Sequence, residues 1–160
     1  MKKQNTFNII VLIICLLLAA FIIYKEYTNN NSTYMIAPDG SAVKWSGRQV
    51  IKMPANNQTG VIVPGVTEMY FVADKIEQKV NLYNPEENSC FFVFEIMIDD
   101  VCYWRSGNCA PGDGYYEIEL DKEMEAGTHD GFLVVRCFTE SGEQLNSAFM
   151  QTKIYASEGN

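Results

Sequence analysis

Four cysteines, Cys90, Cys102, Cys109 and Cys137, are separated from a fifth, Cys15, which lies in an apolar N-terminal run. Four thiols allow three pairings, and an exported domain can hold them as disulfides. No two are spaced C-x-x-C, so neither a zinc knuckle nor a dithiol redox motif is indicated. A Cys102–Cys109 bridge would staple the intervening YWRSGN loop. The alternative for each thiol is a reduced, buried, apolar filler. The single histidine, His129, precedes Asp130 within a Gly127–Gly131 break. A serine hydrolase would need it as base, but no Gly-x-Ser-x-Gly stretch accompanies it, so it reads as an exposed turn histidine. A histidine-rich metal centre is excluded by the count alone.

Carboxylates cluster at Asp99-Asp100 and at Glu117, Glu119 and Asp121. Glycoside hydrolysis needs two carboxyls roughly 5 to 9.5 Å apart across a cleft. Glu117 and Glu119 instead alternate along one strand face, where a solvated surface is the default. Calcium loops and phosphate-cradling glycine loops are missing. No catalytic, cofactor or metal residue is assigned, and the chain reads as a non-enzyme. The remaining candidates are aromatic: Tyr103, Trp104, Tyr115 and Tyr116 flank one hairpin. Exposed tyrosine and tryptophan anchor protein and sugar recognition; the alternative is sheet packing.

The elements that would position these residues are strands. Alternating or wholly apolar runs occur at Gln49–Met53, Thr67–Val72, Lys79–Tyr83, Cys90–Ile98, Val101–Arg105, Tyr115–Leu120, Phe132–Phe138 and Ala148–Tyr155. Turn residues separate them: Asn84–Asn88, Asp99-Asp100, Pro111–Gly114, Gly127–Gly131 and Glu140–Glu143. Tyr116, Ile118 and Leu120 should face one way, and Tyr115, Glu117 and Glu119 the other. The pattern predicts an all-β, immunoglobulin-like antiparallel sandwich over 43–156. In that order the strand from Cys90 and the strand ending at Cys137 are antiparallel neighbours, within disulfide range, so Cys90–Cys137 is the favoured bridge.

Phe7 to Tyr24 reads FNIIVLIICLLLAAFIIY, with Lys2 and Lys3 before it. A helix of this length spans roughly 27 Å, close to the hydrocarbon thickness. Bulky residues follow Ala19 and Ala20, so an uncleaved anchor is favoured over a signal peptide. The expected layout is a cytoplasmic stub (1–6), a single transmembrane helix (7–24), an extracellular tether (25–42) and the sandwich outside the cell. The chain carries 12 basic and 20 acidic side chains, net -8. That sign argues against a nucleic-acid backbone as partner, and none is expected. From Glu26 onward 9 bases face 20 acids, net -11.

The stretches Val43–Gln49 (VKWSGRQ), Ile62–Gly65 (IVPG), Asn81–Phe92 (NLYNPEENSCFF), Ala110–Gly112, Arg136–Thr139 and Leu145–Ala148 resemble a group of small surface proteins of Gram-positive bacteria (Firmicutes). The resemblance covers roughly 43 to 155, with the same anchor and tether in front. It implies a membrane-anchored, immunoglobulin-like ectodomain and no established activity. The resulting expectation is an envelope protein that binds another protein; the alternative is a carbohydrate or wall-polymer module accessory to an enzyme on another chain.

Overall fold

The computed structural model describes residues 17–21, 36–47 and 60–159. The chain divides into two units, Met1–Tyr34 and Met35–Asn160. In the first, residues 17–21 are helical and exposed. The rest of the expected anchor (7–24), the stub (1–6) and the candidate strand Gln49–Met53 lie outside the described residues. Among the described residues no helix is long and apolar enough to cross a membrane.

The second unit is built of strands, as the alternation predicts. They are β1 (Val43–Lys44), β2 (Glu68–Val72), β3 (Glu77–Tyr83), β4 (Phe91–Ile98), β5 (Val101–Arg105), β6 (Asp113–Glu119), β7 (Gly127–Phe138) and β8 (Gln144–Ser157). One sheet has the order β1-β6-β3 and the other β2-β8-β7-β4-β5. β4 is buried nearly throughout because it pairs on both edges and lies against the opposite sheet. Its inward side chains Phe92, Phe94, Ile96 and Ile98, with Leu133, Val135 and Ile154, meet Val80, Leu82, Tyr115 and Ile118 of the smaller sheet.

Four expectations are corrected. The sandwich is not purely antiparallel: β2 runs parallel to β8, from Glu68 opposite Lys153 to Val72 opposite Ser157. The chain changes sheets after β2, which leaves β2 on the larger sheet beside the last strand. Gly127–Gly131 is not a break. It forms the start of β7, paired residue for residue with Ala156 through Thr152, so long-range pairing overrides the two glycines. His129 is therefore a half-buried strand residue, its Nε2 3.0 Å from the Glu125 carbonyl. Residues 36–42, read as tether, belong to the β unit. Ile36 N donates to Glu140 O (3.0 Å), Asp39 N donates to Asn108 O (2.8 Å), and Gly107 N donates to the Asp39 carboxylate (2.9 Å).

The fourth concerns β6. Tyr115 is buried at 2% exposure and Tyr116 is half-buried, the reverse of the alternation expected from Tyr115 to Leu120. The β3–β6 register slips between Lys79 and Leu82, so Lys79 opposes Glu117 but Leu82 opposes Tyr115. A bulge of this kind resets which face a side chain takes, and Tyr115 and Ile118 both point inward.

Candidate functional site

The four candidate aromatics do not form one surface. Trp104 and Tyr115 meet edge to face in the core, centroids 5.2 Å apart, and Tyr115 also meets Phe94 at 6.1 Å. The Tyr115 hydroxyl donates to the Asp39 carboxylate at 2.7 Å. Burial, with that hydrogen bond, pushes the Tyr115 phenol well above its usual range. Tyr103 lies at the β5 edge with the Lys122 ammonium 4.2 Å over its ring. Tyr116 belongs to a separate stack whose centre, Trp45, was not singled out from the sequence as a binding aromatic. Trp45 lies between Tyr83 (4.7 Å, 11°) and Tyr116 (4.5 Å, 9°) on the outer side of the smaller sheet. The stack exists because residue 114 is glycine. A Cβ there would sit 2.8 Å from the Trp45 ring and 2.6 Å from the Leu82 carbonyl oxygen. An isolated glycine in a strand pattern signals such close approach, and it was the one available clue.

All four described cysteines are free thiols, so neither expected bridge is formed. Cys102 opposes Met97, whereas Cys109 bridges to Phe92. At about 3.3 Å per residue these positions are roughly 17 Å apart along β4, too far for a disulfide. The direct cross-strand mate of Cys137 is Phe92, not Cys90. Cys90 therefore sits diagonal to Cys137, the two thiols being close enough to influence one another's titration. Burial pushes both Cys109 and Cys137 up to about 12, the neighbouring Cys90 adding to the latter. These groups behave as core filler beside an amide knot. The buried Asn84 side chain donates to the Cys90 and Cys109 carbonyls (2.8 and 3.0 Å) and accepts from Asn88 (2.8 Å).

Two surfaces remain as candidate sites. The first is a cleft of about 560 Å³ along β6, lined by Ser41, Lys79, Trp104, Tyr115 and the carboxylates of Glu77, Glu117 and Glu119. Glu77 and Glu119 oppose one another directly, an arrangement that costs stability in a sheet. Trp104 is only 9% exposed, so its ring is committed to the core and offers little stacking area. Among the described residues no group of three or more histidine, cysteine or acidic side chains is arranged to hold a metal ion.

The second is the outer face of the larger sheet. Register pairing sets Val93 beside Arg136, Glu95 beside Val134 and Arg105, Met97 beside Phe132, and Val134 beside Phe149. At its centre Glu95 is 5% exposed and accepts two hydrogen bonds from Arg136, both 2.9 Å, with Arg105 at 3.3 Å. Around this ion cluster Phe132 is 48% and Phe149 67% exposed. Tyr70 and Tyr155 stack at 5.3 Å on the same sheet. The arrangement suits contact with a surface; it presents no nucleophile–base pair. No family model, curated protein or solved structure matches the chain.

Proposed function

We propose that the chain is a non-catalytic, single-pass surface protein of a Gram-positive cell, its immunoglobulin-like sandwich lying outside and contacting another envelope protein. The observation that carries this reading is the outer face of the larger sheet, where Phe132 and Phe149 stand exposed around the Glu95–Arg105–Arg136 cluster. Exposed apolar side chains grouped on one face mark contact surfaces, and the charges beside them are already paired with one another, so covering them strands none. The strand order supports the immunoglobulin-like layout. If β3, β4, β6, β7 and β8 are taken as strands B, C, E, F and G, then B and E share one sheet and C, F and G the other. The apolar run 7–24 and the lysines before it support the anchor and its orientation.

A photo-crosslinker replacing Phe132 in the cell tests the partner: a discrete adduct is expected, absent when the crosslinker replaces the exposed Val43 of the smaller sheet. Equal labelling at both positions overturns the assignment of the face. External protease added to intact cells tests the topology. A C-terminal tag should be removed, and a protected tag defeats the outside placement. The acidic cleft beside Trp104 favours the second reading, a glycan-binding module. It stands second because the indole face is covered.

A further inference from the structure

β8 is the longest strand among the described residues, yet only part of its second edge is used. β7 pairs along β8 from Gln144 to Ala156, while β2 covers the opposite edge only from Lys153 onward. Along Gln144–Thr152 that edge meets no strand among the described residues. The coil ahead of β2 runs beside β8, with Gly60, Val61 and Val63 lining a cleft with Gln144–Ala148, but its hydrogen bonds to β8 are at the far end, Lys153 N to Thr67 O and Thr152 Oγ1 to Val66 O, both 2.9 Å. Lys153 N thus points to the β2 side. The β7–β8 pairing is one-to-one from Thr152 to Ser147. Alternation therefore aims the backbone N–H and C=O groups of Gln151, Phe149 and Ser147 at the open edge.

Exposed strand edges are usually blunted by charge, proline or a covering loop. QLNSAFMQT, residues 144–152, contains no charged residue and no proline. This is unusual for the chain. Five of the 12 bases (Lys2, Lys3, Lys25, Arg48, Lys52) and one of the 20 acids (Glu26) lie outside the described residues, so the described body carries 7 bases against 19 acids. Two such bodies repel one another on most approaches but not along this strip.

We propose that the open edge of β8 pairs antiparallel with the same edge of a second copy, joining the two larger sheets across a two-fold axis at Ala148. The axis is placed at the middle of the uncharged strip 144–152, where edge-facing residues of the two copies come into register. Hydrogen-bonded pairs need both residues facing the edge, so Ser147 pairs with Phe149 of the partner subunit and Phe149 with its Ser147. Gln144 then lies opposite Thr152 of the partner subunit, so each copy's β8 begins where the other's β2 closes the edge. On the outer face the two Phe149 rings become diagonal neighbours, within reach of one another. This accounts for an aromatic side chain left 67% exposed in the single copy. The closed two-fold contact stops at two copies instead of growing into a fibre. It is independent of where the chain resides in the cell.

Sedimentation velocity on the full chain in detergent, from roughly 1 to 100 μM, tests this in the affinity range of a small interface. Concentration-dependent dimer is expected, with amide exchange at Ser147, Phe149 and Gln151 slowing as dimer forms. Phe149→Lys places two charges at the axis. Ser147→Pro removes an N–H that makes no ladder bond in the single copy, the setting in which edge proline is tolerated. Both variants should remain folded by circular dichroism and monomeric to about 100 μM, whereas Val101→Lys at the far edge should dimerise like the wild type. A wild type monomeric throughout, or dimer retained in both β8-edge variants, overturns the proposal. So does slow exchange of the three amides in the monomer, which would mean that the chain covers its own edge.

Discussion

Trp104 and Tyr115 were legible in the sequence as aromatics worth notice, but not as core. A strand pattern tells which residues share a face, and the bulge opposite Tyr116 changes that face within two residues. Trp104→Ala should therefore act on stability and not on recognition. A cost of about 3–5 kcal/mol is expected for removing a buried indole, read as a fall in the denaturant midpoint. The cysteines were legible as buried or bridged; all four described ones are unbridged, and Cys90, Cys109 and Cys137 are buried. In the native protein a thiol reagent at pH 8 should modify the half-buried Cys102 first, leaving Cys109 and Cys137 until the chain unfolds. Mass spectrometry of partly labelled protein checks the order. The raised Cys109 and Cys137 thiols also give a sign to the alkaline limb. The unfolded chain releases these protons near pH 9 and the folded chain near 12. Their contribution to stability is complete below the first value and is lost as pH climbs toward the second. A denaturation midpoint that stays flat from pH 9 to 11 would contradict this.

Most strands could be read from alternation and turn residues, including the Asp99-Asp100 hairpin. Both of its residues have positive φ, 48° and 61°, as a two-residue type I′ turn demands. Aspartate tolerates that conformation less well than glycine at the second position. Asp100→Gly should raise the melting temperature, by about 0.5–1 kcal/mol in stability terms, a shift that calorimetry resolves. The parts that escaped reading were set by partners distant in sequence. β7 extends back through two glycines because β8 supplies a long template, and β2 runs parallel because the chain switches sheets after it. Local propensity carries no record of either. Trp45 escaped for the same reason: its place depends on Gly114, far along the chain, leaving room for the ring.

For the whole molecule, composition excluded more than it identified. A surplus of acids argues against a nucleic-acid backbone as partner, and it predicts a folded state held against its own repulsion. Raising sodium chloride from about 0.02 to 0.3 M should lift the melting temperature by a few degrees, since screening relieves that repulsion more than it weakens the shielded Glu95 pairs. Scanning fluorimetry across that range checks the direction, and a fall would show that ion pairs dominate. The segment at residues 36–42 has a mechanical consequence. It is fastened at once to Glu140, in the hairpin of the larger sheet, to Gly107 and Asn108, beyond β5, and through Asp39 to Tyr115 of the smaller sheet. A pull applied to the chain at residue 36 would thus be shared between both layers, and neither sheet could be peeled from its neighbour without first breaking the Asp39 clasp.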